Sequence, residues 1–451
     1  MPKVTEFQGS NQRGQERSAP LRLEDAIPDD RIGKDAVNVL ILYMVILLVI
    51  PSNRSFAALG GAGAPAALFA LILLPWWGWY HLQRTRRVVR MRIQPVRTAM
   101  FIFSGAVLAS YAAGATRALT EAEANALDLG ILRAAAFASI LSVASDGIPS
   151  RKRLLDILRF CCFLTGVYAV LGLFQFFTGQ SFVAGLNIPG LTVTDFGALQ
   201  DRGGFNRPSA TARNPLEYAF VMSMVFPLAI TLALNDAPRG IWVRWFPVAA
   251  IALATVLSVS RSAIVGLVVG VAILVPTWSP KVRKMAGIAT IVLLVFVWAL
   301  VPGMAGTLLG LFGGEDSSLK SRTDSYTVVA DFWHLAPLFG RGLGTFLPEY
   351  RILDNQYLVS LIDMGTLGLI ALIGVMVTSF AVALVGQHRY ADPLFRHLGP
   401  AFAGAVAAGA SLTAFFDVLS FPQAAGVLFL ICGLSGAYWR MRDPWKAVVD
   451  A

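Results

Sequence analysis

The chain has 451 residues, of which 56% are hydrophobic and only 14% charged. A soluble domain carries about 25% charged residues, so a conventional soluble enzyme or binding module is excluded. The net charge of +10 would suggest nucleic acid as a partner of a soluble protein. Here it sits in short loops between apolar blocks, where the positive-inside rule accounts for it, and no nucleic acid is expected.

Residues 1–35 are polar and mixed in charge. They predict a flexible cytoplasmic tail and no cleavable signal peptide. From residue 36 to 451 the chain reads as a single transmembrane domain. Its apolar blocks have the length of about 17–25 residues that crosses hydrocarbon as a helix, and they lack the alternation of barrel strands. The expected fold is an all-α, polytopic transmembrane helix bundle of about twelve spans. They fall near 36–52, 57–80, 98–116, 127–146, 155–177, 214–235, 243–260, 262–278, 285–303, 355–386, 398–416 and 420–439. Lys and Arg gather in alternate loops, from Arg84–Arg97 and Arg151–Arg153 through Arg239, Arg244 and Lys281–Lys284 to Arg389, Arg396 and Arg440. That side, with both termini, is expected in the cytoplasm.

Two long loops face the other side, at about 178–213 and about 304–353. Ordered loops of this length are usually functional. In the second, Leu319, Arg322, Tyr326, Val329 and Trp333 recur at helical spacing and predict an amphipathic helix. Cys161, Cys162 and Cys432 lie inside apolar blocks and give neither a disulfide framework nor a metal spacing. No cofactor and no metal are expected.

The candidate site residues are arginines on this external side, where the positive-inside rule supplies no reason for them. Arg261 interrupts an apolar stretch too long for one span, in Ser258-Val259-Ser260-Arg261-Ser262. An arginine at membrane depth costs on the order of 2.5–3.5 kcal/mol. A lipid phosphate or pyrophosphate would offset that cost through paired hydrogen bonds; snorkelling to headgroups is the bland reading. Arg207 and Arg213 flank the start of a helix at Asn214-Pro215-Leu216-Glu217. A positive helix N-terminus beside two arginines suits an anion, while Glu217 approximates a capping box. Arg341 sits in the glycine-rich turn Pro337-Leu338-Phe339-Gly340-Arg341-Gly342-Leu343-Gly344, as an anion ligand or as part of a plain turn. Arg322 is a further substrate-side cation. Asp354 opens the tenth span, either as an N-cap or as a general base. His334 is the one external histidine; His81, His388 and His397 read as solvated.

Order and topology together make the chain resemble the O-antigen ligase and O-antigen polymerase superfamily of bacterial membrane glycosyltransferases over roughly residues 160–440. The shared features are the Ser260-Arg261 turn between spans, the long loop ending in Pro337 to Phe346, and Asn355 followed at the required spacing by Gly365 and Gly368. Asp354 stands where that family has histidine. This leans away from a standard lipopolysaccharide ligase, toward a polymerase or a ligase of another polymer. The resemblance implies a class C glycosyltransferase-like fold in the bacterial plasma membrane. It implies an undecaprenyl-diphosphate-linked glycan donor, a glycan or lipid acceptor, and metal-independent inverting transfer. Arg261 and Arg207 would hold the pyrophosphate, and Asp354 would be the base. A secondary transporter or flippase suits the span count equally well, and a scaffold of envelope assembly is a third reading. Convergence of Arg207, Arg261, Arg341 and Asp354 would favour the enzyme.

Overall fold

Six helices begin at a proline, where a missing backbone N–H costs nothing because no intrahelical partner exists. In the computed structural model thirteen helices are described: α1 (Val37–Val49), α2 (Pro65–Leu82), α3 (Pro95–Ala115), α4 (Glu121–Asp146), α5 (Arg151–Thr178), α6 (Pro215–Asn235), α7 (Ile241–Leu257), α8 (Arg261–Leu274), α9 (Pro280–Leu300), α10 (Ser317–Leu335), α11 (Gln356–Gly386), α12 (Pro393–Leu412) and α13 (Pro422–Arg440). The structure describes residues 35–56, 63–83, 93–181, 183, 185–193, 200–202, 204–301, 303 and 317–441, with 317–325 as backbone only. The expected tail up to residue 34, loop residues 304–316 and the side chain of Arg322 lie outside the described residues.

A helix occupies each stretch expected as a span. Six of them, α3, α4, α5, α6, α9 and α11, are long and apolar enough to cross a membrane; α1, α7 and α8 are shorter apolar helices. The architecture is that of an all-α polytopic membrane protein. Two short antiparallel pairs were not foreseen. Strand β1 (Arg54–Ser55) pairs with β2 (Thr192–Val193), and β3 (Gln200–Arg202) pairs with β4 (Phe205–Arg207). Both organise loop 178–213.

Helices α6 and α13 form the centre and are buried along almost their whole length. Helix α9 buries only Val297 and lies outermost. At one end of the bundle the arginine-rich segments come together. Arg97 pairs with Asp146 at 2.7 Å, and Arg159 with Asp236 at 2.7 Å. Arg440 donates to the carbonyls of Ser145 and Ile148.

The expected amphipathic helix in the second long loop is α10, with Val329 buried and Tyr326 exposed. The tenth expected span differs from its sequence reading. Gly365, the first of the two spaced glycines, adopts φ 67° and ψ −173° and breaks α11. The glycine-rich turn fills the break. Thr366 and Leu367 amides donate to the carbonyls of Pro337 and Leu338, while Arg341 and Gly342 amides donate to those of Ile362 and Asp363. The freed backbone groups are therefore satisfied by protein, as buried irregular backbone must be. A Cβ on Gly365 would collide with the Leu338 carbonyl, and one on Gly340 with the Asp363 carbonyl. Both glycines also have positive φ, which a side chain disfavours. Gly365→Ala is expected to destabilise the protein by about 3 kcal/mol or more, read as a lowered midpoint in thermal unfolding of the detergent-solubilised chain.

Candidate functional site

At the loop end of the bundle, a buried carboxylate gathers three distant segments. Glu217, fully buried in the first turn of α6, accepts from Ser52 Oγ at 2.7 Å, from the Arg213 amide at 2.9 Å and from the Gln423 amide at 2.7 Å. Ser52 follows α1, and Gln423 lies in the first turn of α13. The side chain of Gln423 continues the network to Thr211 and accepts from Tyr168 OH. Gln175, also buried, accepts from the amides of Ser209 and Ala210 and donates to the Ala210 carbonyl. Loop 208–214 is thus held on both sides, and Ala210 is held at a φ of 50°. The guanidinium-bearing Arg213 is exposed at its end. Asn214 caps α6 as expected, accepting from the Leu216 amide at 2.9 Å. Glu217 does not complete a capping box; its oxygens go to the Arg213 amide just before the cap and to the distant Ser52 and Gln423.

The Ser-Arg turn is three residues long, between α7 and α8. Val259 within it has φ 49°, a conformation costly for a β-branched residue. Its side chain is fully buried against Phe176, Leu257, Val297 and Val301, with Phe205 packed on the same cluster. That packing holds the turn in its strained shape. Ser260 caps α8, and Arg261 is the first helical residue. A cation at a helix N-terminus opposes the helix dipole. The pair therefore concentrates positive potential in one place. Phe205 begins β4, so Arg207 stands on the hairpin that packs on this cluster. Its Nη1 donates to Gln200 Oε1 at 3.0 Å.

Asp354 is exposed, and the helix cap is its neighbour: Asn355 accepts from the amides of Tyr357 and Leu358. The Asp354 carboxylate is therefore not spent on capping α11. The next residue, Gln356, is buried. Its amide donates to the carbonyls of Thr413 and Phe416, and its Oε1 accepts from the Leu419 amide at 2.6 Å. This binds Asp354 to the connection between α12 and α13, which carries Asp417. Burial pushes the Asp417 carboxyl up, opposed by the Ser420 hydroxyl and by Arg133, and Asp354 adds to the rise. Arg133, in α4, also lies within the electrostatic reach of Arg213 and Asp363. It lines a crevice with Tyr43 and Leu47 of α1, Phe137, Ser420 and Gly426.

Asp354 and Arg133 thus both act electrostatically on Asp417, and the Arg207 hairpin packs through Phe205 on the apolar cluster that holds Val259, two residues before Arg261. Asp417 and the buried Arg54 of β1 were missed by sequence reasoning; a lone charge in or beside an apolar run, the signal that picked Arg261, marks Arg133 and Asp417 too. Arg341 is placed differently. Its Nη2 donates to Glu123 Oε1 at 2.9 Å, and Arg117 makes two further bonds to the same carboxylate at 3.0 Å. The Arg341 guanidinium also lies over the Phe332 ring, 4.9 Å from its centroid. The Asp363 carboxylate accepts from the amides of Gly344 and Phe346. These contacts clamp the glycine-rich turn onto α4, α10 and α11. His334 is exposed on α10 beside Trp333. Among the described residues no three His, Cys, Asp or Glu side chains gather as a metal site.

Residues 246–373 match the O-antigen ligase family model. The matched segment runs from α7 through the Ser-Arg turn, the second long loop and Asp354 to the middle of α11. No match was found among curated proteins.

Glu217→Ala would leave three donors facing a cavity. A loss of about 3 kcal/mol in stability is expected, because each buried donor retains its desolvation penalty without a partner. Thermal unfolding of the purified variant, beside its yield in membranes, checks this.

Proposed function

We propose, from the premise that this chain belongs to the O-antigen ligase superfamily, that it transfers or polymerises a lipid-diphosphate-linked oligosaccharide at the external face of the bacterial plasma membrane. The family match supports a ligase- or polymerase-like glycosyltransferase role. In this reading about twelve helices span the membrane and both termini are cytoplasmic, in keeping with the alternation of arginine-rich loops. The donor is an undecaprenyl-diphosphate-linked glycan, and the acceptor is a glycan or lipid hydroxyl.

The observation that carries the proposal is Arg261 at the positive pole of α8, held by a strained and buried Val259. A fixed cation on a helix N-terminus suits a diphosphate. As the bond from the anomeric carbon to the diphosphate oxygen breaks, the leaving group gains negative charge. Preorganised cations stabilise that charge without reorganising at the moment of reaction. Each charge pair at about 4 Å contributes on the order of 4 kcal/mol at an effective dielectric near 20, before desolvation. Arg261 and Arg207 would hold the diphosphate, with Arg213 on the rim. Arg322 is a further substrate-side cation in this reading.

Asp354 would take the proton of the acceptor hydroxyl as that oxygen bonds to the anomeric carbon on the face opposite the leaving group. Its exposure and its freedom from the helix cap suit it to this role. The reaction inverts the anomeric centre, and the cations act in place of a metal. Arg341 acts through position: bound to Glu123, it holds the loop that precedes Asp354. Glu217 likewise holds the rim that presents Arg213.

Arg261→Ala and Asp354→Ala are each expected to lower transfer by about a hundredfold or more, with membrane level and thermal midpoint near wild type. The assay gives purified protein a lipid-diphosphate oligosaccharide and follows products by gel and mass spectrometry. Wild-type activity should survive EDTA. Undiminished product from both variants would remove these residues from the site, and loss of activity in EDTA would remove the metal-independent mechanism.

A further inference from the structure

At the arginine-rich end of the bundle, α5, α6 and α7 line a cavity of about 300 Å³. Two carboxylates and three guanidinium groups line it. The carboxylates are already used. Asp236, buried at the end of α6, takes both Nε and Nη2 of Arg159 at 2.8 and 2.7 Å. Asp156 lies between Arg153 at 3.5 Å and Arg159 at 3.7 Å.

Arg239 and Arg244 remain. Neither pairs with a carboxylate among the described residues. The Nε of Arg244 is buried and without a hydrogen-bond partner among them, a costly state for a charged donor unless something polar arrives. Arg244 stands in the first turn of α7. That turn has no acidic residue, and its cap position, Gly240, supplies no side-chain acceptor. The positive end of the helix is therefore uncompensated at the cavity.

The mouth is apolar and aromatic. In its lining Phe163 is 48% exposed and Val243 50% exposed, as suits residues that meet lipid. A soluble anion gains nothing from that rim, whereas a phospholipid places its phosphate among the arginines and its chains along Phe163 and Val243. We propose that this cavity binds the headgroup phosphate of an anionic phospholipid from the adjoining leaflet. The site is separate from the proposed transfer chemistry and does not depend on it.

The test is native mass spectrometry of the purified full-length chain titrated with phosphatidylglycerol. Phosphatidylcholine serves as the zwitterionic control and inorganic phosphate as a competitor. Wild type should retain phosphatidylglycerol over phosphatidylcholine. Arg244→Ala and Arg239→Ala should each weaken retention roughly tenfold, the effect of losing one charge-assisted hydrogen bond, and Arg244→Lys should keep most of it. Arg239 is exposed, so its alanine variant keeps the test decisive should Arg244→Ala fold poorly. Undiminished retention in the alanine variants overturns the proposal. Equal retention of phosphatidylcholine by wild type also overturns it, and binding of inorganic phosphate without retention of phosphatidylglycerol assigns the cavity to a soluble anion.

Discussion

The loop end of this protein depends on the carboxylate of Glu217. It lies in the first turn of a helix buried on all sides, and it accepts from chain segments 165 residues before it and 206 residues after it. A buried carboxylate is tolerable only when its lone pairs are filled. Filling them requires Ser52, Arg213 and Gln423 to be in place together. The end of α1, loop 208–214 and the start of α13 are therefore fixed by one acid. Gln175, Gln356 and Gln423 extend the same logic with side-chain amides, each bonded to backbone that no helix or strand would otherwise satisfy. The rim of the bundle is irregular in conformation yet rigid, because its polar groups have buried partners.

Rigidity matters because of the charges the rim presents. Arg261 sits where a helix dipole repels it, on a turn whose valine is strained. Both features cost stability, and the apolar packing of Val259 offsets them. Such opposition is relieved when an anion occupies the helix N-terminus. At the same end Arg117 and Arg341 share Glu123. Arg117 and Arg341 close the structure through a carboxylate, and Arg213 and Arg261 each stand at a helix start. An arginine at a helix C-terminus would need no such account.

Much of this was legible in the sequence, and the failures share one cause. Apolar runs marked the helices because hydrocarbon-length blocks have few alternatives. The Ser260-Arg261 turn was visible because a cation in the middle of an apolar stretch has no local explanation, and Asn214-Pro215 marked a helix start because capping is local. Glu217 looked like part of that cap because its true partners lie far along the chain. The bond from Arg341 to Glu123 could not be read in the sequence because the two are 218 residues apart. Asp354 looked like a cap until Asn355 took that place. The break at Gly365 was not visible because a break in a helix is decided by what fills it, and here the filler is a loop some twenty-five residues upstream.

That filler also explains how the second long loop reaches the rim. A continuous α11 would leave the glycine-rich turn no backbone to pair with, and the loop would be free to hang from the bundle. With α11 opened at Gly365, the carbonyls of Ile362 and Asp363 receive the amides of Arg341 and Gly342, and the Asp363 side chain receives those of Gly344 and Phe346. The short segment of α11 ahead of the break is then fixed by the turn on one side and by Gln356 on the other. Asp354 stands immediately before that segment. An exposed carboxylate would ordinarily sample many positions; here its backbone is anchored to two independent networks, one through Gly365 and one through Thr413 and Phe416. A general base must be positioned before its proton affinity can matter, and this pair of anchors provides the position without using the carboxylate itself.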